Sequence, residues 1–260
     1  MILEGKTVVV CGVGQGLGGE VARLAHRDGA NLMLAARTSA TLESIAREID
    51  PSGERVAQRP TDITDAGQCR ALADDTVARF GGVDALVQVA ALDAVFGGLA
   101  EVKPEDWRST FEVNVVGTTQ AVAAMAPHMQ RRGGGSIVLI GSQSSFLPPA
   151  FSQIAYASSK GALMTAMYYM AKELGPDRIR VNTVVPTWMW GPPVEFFVKA
   201  QAKQRGVSEE EVVAEITSQM MIPEIPADED VAEAVVFLCC DRARMITGQT
   251  LFVNSGELMP

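Results

Sequence analysis

Short apolar runs alternate with amphipathic stretches from one end of the chain to the other. Seven of these runs are short, apolar and rich in β-branched residues, which is typical of strands buried on both faces. They cover residues 6–11, 30–36, 55–60, 83–90, 135–141, 179–185 and 249–254. Helical patterns lie between them, for example over residues 41–49, 66–80 and 111–132.

This alternation predicts an α/β fold of the Rossmann type, a doubly wound, seven-stranded parallel sheet with helices on both faces. No linker, repeat or shift in composition divides the chain, so we expect one domain over residues 1–260. Residues 187–226 interrupt the pattern with a proline-bordered helical insertion between the last two strands. We interpret this insertion as a lid on the substrate, with a purely structural helical pair as the alternative.

Composition narrows the classes of function. A hydrophobic content of 47% supports a sizeable core, and the net charge of −9 argues against a nucleic-acid partner. The four cysteines lack metal-ligand spacing and the chain has two histidines, so no metal site is expected. Neither a signal peptide nor a bilayer-spanning run is visible, which predicts a cytoplasmic protein with no membrane partner.

The first predicted strand runs into a glycine-rich turn, CGVGQGLGGE, that precedes a helix. Such a turn exposes free N–H groups at a helix N-terminus and lets a pyrophosphate approach the backbone closely. Two dinucleotide-binding patterns fit it. Gly14, Gly16 and Gly19 match G-x-G-x-x-G, whereas Gly12, Gly16 and Gly18 match G-x-x-x-G-x-G.

Tyr156 and Lys160 are separated by one helical turn, so the phenol and the ammonium can converge on one point. A neighbouring ammonium is expected to lower the phenol pKa and to make Tyr156 a general acid/base for an alcohol–ketone pair. Ser142 follows a predicted strand, where its hydroxyl can bind the substrate oxygen. Asn114 lies among valines in a helical pattern, which suggests a buried amide that holds a water or a backbone carbonyl.

These residues resemble those of the short-chain dehydrogenase/reductase superfamily, in its compact single-domain branch, over nearly the whole chain. The resemblance implies an oxidoreductase that interconverts a secondary alcohol and a ketone with NAD(P)(H). It implies that Tyr156 transfers the proton, Ser142 stabilises the substrate oxygen, Lys160 binds the nicotinamide ribose and Asn114 holds a proton-relay water. It also implies a homotetramer, with a homodimer as the alternative.

The resemblance selects the pattern of Gly12, Gly16 and Gly18 and leaves Gly14 and Gly19 as turn and packing glycines. The second strand ends without an acidic residue, and Arg37 follows it, so NADP(H) is expected and NAD(H) remains the alternative. The expected cofactor-binding residues are Gly12, Gln15, Gly16, Leu17, Gly18, Arg37, Thr38, Asp62, Ile63, Val89, Ala90, Tyr156, Lys160, Pro186 and Met189.

The chain also departs from the family pattern at several positions near the cofactor. Cys11 stands where a threonine usually precedes the first glycine, and the Asn-Asn-Ala-Gly segment is replaced by residues 88–91, QVAA. Thr187 follows Pro186 where glycine is usual, and Gly191 replaces a threonine that often contacts the pyrophosphate. None of these changes removes a catalytic group, but each alters a loop that the resemblance places against the cofactor.

Aromatic residues at the start of the insertion and before Tyr156 suggest a fairly apolar substrate, such as a cyclic alcohol or ketone. The alternative is that they only pack the insertion against the sheet. The expected pocket residues are Ser144, Phe151, Trp188, Trp190 and Phe196. Two competing functions remain, a 3-oxoacyl-carrier-protein-type reductase and, in another class, a non-catalytic NADP-binding sensor or scaffold.

Overall fold

A computed structural model describes residues 1–149 and 151–259, and it confirms the predicted strands. They are β1 Thr7–Cys11, β2 Asn31–Ala36, β3 Val56–Pro60, β4 Ala85–Gln88, β5 Gly135–Ile140, β6 Ile179–Pro186 and β7 Thr250–Val253. All six strand pairings are parallel, in the order β3-β2-β1-β4-β5-β6-β7. The chain therefore leaves β1 toward one edge and resumes at β4 toward the other, which creates a topological switch point between these two strands.

Helices connect the strands and cover the sheet. They are α1 Leu17–Arg27, α2 Ser39–Ile49, α3 Ala66–Phe80, α4 Pro104–Phe111, α5 Thr118–Arg132, α6 Ile154–Leu174, α7 Pro192–Arg205, α8 Glu209–Thr217 and α9 Asp228–Cys239. The stretch predicted as one helix over residues 111–132 is divided, because a π-helical turn, Glu112–Gly117, separates α4 from α5. A π-helical turn inserts an extra residue into the helical repeat and is frequent at functional sites.

Successive residues of the strands enter two separate hydrophobic cores. Val8 and Val10 of β1 pack with residues of α1 and α9 on one face of the sheet. Val9 and Cys11 pack with residues of α3, α5 and α6 on the other face. Both faces are covered, which explains why the strands read as continuous apolar runs rather than as an alternating pattern.

The predicted fourth strand is shortened where the chain turns away from the sheet. The N–H groups of Val89 and Ala90 both donate to the carbonyl of Cys11, at 2.9 Å each, so the chain crosses over β1 instead of continuing the ladder. Further along, the insertion at residues 187–226 contains α7 and α8, which share a small core of Val198, Ala202 and Val212. Within the described residues, no helix combines the length and the apolar composition needed to cross a bilayer.

Candidate active site

The loops that leave the carboxyl ends of β1, β4, β5 and β6 meet at the switch point. Gly12 follows β1 and adopts a φ of +96°, a conformation that disfavours any residue with a side chain. A β-carbon at Gly12 would lie 2.2 Å from the nitrogen of Ala90, and one at Gly18 would lie 2.2 Å from the carbonyl oxygen of Gly12. The close approach of the two loops and of α1 therefore requires glycine at both positions.

The remaining glycines of the turn divide into packed and open positions. A β-carbon at Gly19 would lie 2.3 Å from the carbonyl oxygen of Gly14, so Gly19 is a packing glycine. Gly14 itself faces open space, with no atom within 4 Å of such a β-carbon, and Gly16 is nearly as open. No side chain caps the N-terminus of α1. Its free N–H groups and the space before them suit an anionic group such as a pyrophosphate.

Alanine substitutions distinguish a packed glycine of this turn from an open one by their effect on stability. Gly12→Ala is expected to lower the free energy of unfolding by about 3 kcal/mol or more, because the change combines a disfavoured φ with a backbone clash. Gly14→Ala is expected to change it by no more than about 0.5 kcal/mol. Urea denaturation of the two variants measures both values. Equal losses in the two proteins would show that the turn is not packed as described.

The other residues expected at the cofactor line the same edge of the sheet. Leu17 is buried at the start of α1, and Gln15 is exposed beside it. Val89 and Ala90 are half-buried in the turn after β4, Pro186 ends β6 within the core, and Met189 packs partly against the core below α1. Burial raises the pKa of the Cys11 thiol to about 12, so this cysteine remains a protonated core residue.

Arg37 and Thr38 are exposed at the end of β2, and Asp62 and Ile63 follow β3 beside them. Asp62 accepts hydrogen bonds from the hydroxyl and the N–H of Thr64, at 2.7 and 2.9 Å. These bonds hold the Asp62 pKa below its usual value, and the Arg37 charge adds to the effect. Among the described residues, no hydrogen bond or ion pair engages the Arg37 guanidinium, which leaves its donors available to a ligand.

Tyr156 and Lys160 lie in the first two turns of α6, directly behind Ser142, which follows β5. Lys160 is 3% exposed, and its ammonium donates to the carbonyl of Ile140 at 2.7 Å. Its Nζ atom lies 5.6 Å from the centre of the Tyr156 ring. The Ser142 hydroxyl shares a hydrogen bond of 2.8 Å with that of Ser144. Phenol, ammonium and hydroxyls thus converge at one end of the sheet.

The pKa of Tyr156 differs from the value expected from the sequence. Burial raises it to about 12, against a smaller lowering by a hydrogen bond with Ser142 and with a further rise from the Asp93 carboxylate. The Lys160 ammonium donates to the Ile140 carbonyl and not to the phenol oxygen, so it does not offset this rise. Burial lowers the Lys160 pKa to about 8, and Asp93 partly opposes that shift.

Asn114 occupies the π-helical turn and is 1% exposed. Its amide oxygen accepts from the N–H of Leu92 at 2.6 Å, and its amide nitrogen donates to the carbonyl of Leu92 at 3.1 Å. The same nitrogen donates to the Ser159 hydroxyl at 2.9 Å, and that hydroxyl donates to the carbonyl of Tyr156. Asn114 therefore ties the loop after β4 to the helix that carries Tyr156 and Lys160.

Four aromatic rings from four segments form a cluster beside this set, which we call the aromatic wall: Phe96, Phe151, Trp188 and Phe197. Neighbouring ring centres are 5.1–6.0 Å apart. The loop after β4 reaches the others through backbone hydrogen bonds, in which the Gly97 N–H donates to Ser152 and the Ile154 N–H donates to Gly97. The wall joins that loop, the loop after β5, the end of β6 and the first turns of α7.

The structure brings some of the expected pocket residues together and separates others. Phe151 and Trp188 belong to the aromatic wall, and Ser144 contacts Ser142. Phe196 is 75% exposed, because it lies about 100° around the helix from its neighbour Phe197. Trp190 is 39% exposed and lines a separate surface cavity with residues of α8.

Several residues near the site carry no motif and were not expected from the sequence. Asp93 acts on the pKa values of both Tyr156 and Lys160, although it is an exposed loop residue. At the C-terminal end, Glu257 accepts a hydrogen bond from Thr187, and Asn254 donates to the buried Gln143 at 2.7 Å. Contacts of this kind join segments that are distant in the chain, so only the pattern of polar residues at strand ends hints at them.

Comparisons with known proteins agree with this arrangement. A family described as enoyl-(acyl carrier protein) reductase matches residues 12–257. The chain is 31% identical to an oxidoreductase of Methylorubrum extorquens, over 98% of both chains. It is also 31% identical to dehydrogenase/reductase SDR family member 4 of Pongo abelii, over 98% of this chain and 88% of that one. A solved short-chain type dehydrogenase/reductase from Mycobacterium ulcerans is 29% identical, with a TM-score of 0.88 and coverage of 99% and 91%.

Proposed function

The chain belongs to the short-chain dehydrogenase/reductase family, and from that premise we propose that it interconverts a secondary alcohol and a ketone with NADP(H). One observation carries the proposal. The phenol of Tyr156, the hydroxyl of Ser142 and the ammonium of Lys160 converge at the carboxyl edge of the sheet, beside the open glycine turn.

The residues of the site fit a dinucleotide. Gly14 and Gly16 leave space before the uncapped N-terminus of α1, where a pyrophosphate would bind. Asp62 and Ile63, which follow β3, would hold the adenine. Met189 and Lys160 would face the nicotinamide end. When bound, NADP(H) supplies or accepts the hydride, which is chemistry that no side chain of the chain can perform.

Side chains of the protein transfer the proton and stabilise the negative charge that develops on the substrate oxygen. Ser142 donates a hydrogen bond to the substrate oxygen and fixes its position against the phenol. With a pKa of about 12, Tyr156 keeps its proton near neutral pH, so it is ready to act as the acid that donates to the oxygen during ketone reduction. The Lys160 ammonium would hold the nicotinamide ribose, and Asn114 ties the helix of Tyr156 and Lys160 to the loop after β4.

The aromatic wall supports a fairly apolar substrate, such as a cyclic ketone. Its four rings stand beside the catalytic set and offer contact surface without charge. Because α7 contributes Phe197, we propose that the insertion at residues 187–226 closes over the substrate as a lid.

A panel of cyclic ketones, mixed with the protein and NADPH and followed by loss of nicotinamide absorbance, tests this function. NADPH binding without turnover across a broad panel would instead favour the sensor or scaffold.

Arg37 is proposed to select NADP(H), because the end of β2 carries this guanidinium and no acid. Arg37→Asp is expected to shift the ratio of kcat/KM values toward NAD(H) by roughly a hundredfold, since it removes a charge-assisted bond to the 2′-phosphate and adds repulsion. Arg47→Asp, an equally exposed change on α2, is the matched control. Unchanged preference in the Arg37 variant would refute the cofactor assignment.

A second candidate is a reductase of acyl-carrier-protein thioesters. The description of the matching family favours it, whereas the net charge of −9 offers little basic surface for a carrier protein. Turnover of 3-oxoacyl thioesters, compared with cyclic ketones in the same assay, distinguishes the two.

We also propose a cytoplasmic homotetramer. Four buried free cysteines support a reducing compartment, and the exposed Tyr168 and Tyr169 on α6 support association through that helix.

A further inference from the structure

Asp228 lies where three segments of the chain meet. The N–H of Trp190 donates to the carbonyl of Pro226 at 2.8 Å, and Trp190 and Ala227 form a short parallel bridge. This bridge brings Gly191, at the start of α7, next to Asp228, at the start of α9. The glycine turn after β1 completes the junction, because α1 and α9 pack against each other.

The Asp228 carboxylate lies close to Gly191 and to Gly16 of the glycine turn after β1. A β-carbon at Gly191 would lie 3.3 Å from its Oδ2 atom, and one at Gly16 would lie 3.6 Å from the same atom. Three helices begin at this point, namely α1 after Gly16, α7 after Gly191 and α9 with Asp228 itself. The N–H groups and dipoles of helix N-termini favour an anion. The carboxylate therefore stands in the region that the proposed function gives to a pyrophosphate.

The fold does not use this carboxylate as a bonding group. Asp228 is half-buried, and within the part of the chain that the structure describes it takes no hydrogen bond or ion pair. Burial, followed by the nearby Glu20 carboxylate, raises its pKa above the usual value. The capping of α9 falls to Asp230, which accepts from the N–H of Ala227 at 2.8 Å. The charge of Asp228 is thus dispensable for the helix and unfavourable for a second anion.

We propose that Asp228 limits the affinity of the chain for the pyrophosphate of a bound dinucleotide, which rests on the proposed function. Its negative charge lies beside the same helix N-termini and repels the phosphates. NADP(H) and NAD(H) share the pyrophosphate, so the charge weakens both to the same degree. Arg37, by contrast, acts on the 2′-phosphate and affects NADP(H) alone.

The effect depends on pH. As the pH rises through the Asp228 pKa, the side chain becomes charged and the affinity for the dinucleotide falls. Glu20, the one charged neighbour that shifts this pKa, is ion-paired with Arg23 at 3.1 Å. Within the first seven residues of the three helices, the other charged residues are Glu20 and Arg23 of α1, Glu195 of α7, and Glu229, Asp230 and Glu233 of α9.

Binding calorimetry of NADP⁺ and NAD⁺ at slightly alkaline pH tests the proposal. Asp228→Asn is expected to bind both dinucleotides roughly fivefold more tightly than the unmodified protein. Glu229→Gln removes the same charge from the adjacent, exposed residue and is expected to change neither affinity. Asp228→Ala is a second variant, because alanine removes the carboxylate, keeps the backbone N–H and favours the helix.

Each outcome decides the proposal. Equal affinities of the Asp228 variants and the unmodified protein would overturn it. A gain in Glu229→Gln as large as that in Asp228→Asn would also overturn it, since the effect would then be one of net charge. If neither the unmodified protein nor any variant binds either dinucleotide, the proposed function itself fails. That result differs from binding that is the same with and without the Asp228 carboxylate.

Discussion

Tyr156→Phe is expected to reduce ketone turnover by about a thousandfold while leaving the protein folded and able to bind NADP(H). The substitution deletes one oxygen, the atom that holds the transferred proton, and keeps the ring in its place on α6. The loss of one hydrogen bond with Ser142 is expected to cost about 1 kcal/mol of stability at most. Steady-state rates, dinucleotide binding and urea denaturation separate these effects.

Tyr169→Phe is the matched control for this variant, because Tyr169 lies on the same helix and is 72% exposed. We expect its rates to equal those of the unmodified protein. A Tyr156→Phe protein that retains more than half of the rate would show that the proton comes from another group. A variant that loses dinucleotide binding as well would place Tyr156 in the cofactor site without assigning it the proton.

Lys160→Met is expected to lower the turnover by about a hundredfold or more and to change the pH dependence of stability. The Lys160 pKa of about 8 in the folded protein lies below its ordinary value of 10.5, so folding favours the neutral amine. The cost of the buried charge is full below pH 8 and declines as the pH rises from there toward 10.5. Between about pH 7 and about pH 9.5 the unmodified protein should gain about 2 kcal/mol relative to the methionine variant.

Urea denaturation at the two pH values measures this gain as a difference between the two proteins. The lost hydrogen bond to the Ile140 carbonyl shifts the variant by a similar amount at both pH values and so cancels. Lys172→Met, an exposed change on the same helix, is the control and should show no such pH dependence. A constant difference between Lys160→Met and the unmodified protein would mean that the ammonium is not buried as the structure indicates.

The fold was predictable because the signals that set it are local. Strands buried on both faces must be apolar throughout, and the turns between them carry glycine where the backbone needs it, as at Gly12. Tyr156 and Lys160 were predictable for the same reason, since four residues on a helix make one turn. Their pKa values were not, because these depend on burial and on Asp93, a loop residue that no spacing connects to them.

The rest of the site depends on contacts between distant segments. The π-helical turn at Asn114 has the same amphipathic pattern as an ordinary helix, so the sequence predicts one continuous helix there. Phe197 joins the aromatic wall and Phe196 does not. The sequence could not distinguish the two residues, because the weak apolar periodicity of α7 does not reveal which side of the helix faces the sheet. The bridge between Trp190 and Ala227 joins the two ends of the insertion and so brings Asp228 to the glycine turn. No local sequence pattern marks Asp228.

Transfer of deuterium tests the central claim most directly. The protein is mixed with a ketone from the cyclic panel and with NADPH that carries deuterium at both C4 positions of the nicotinamide ring, and the product is examined by mass spectrometry. The account predicts an alcohol with one deuterium on its carbinol carbon, formed by the unmodified protein and about a thousandfold more slowly by Tyr156→Phe. An alcohol without deuterium, or no alcohol from any ketone or 3-oxoacyl thioester while NADPH is bound, would contradict it.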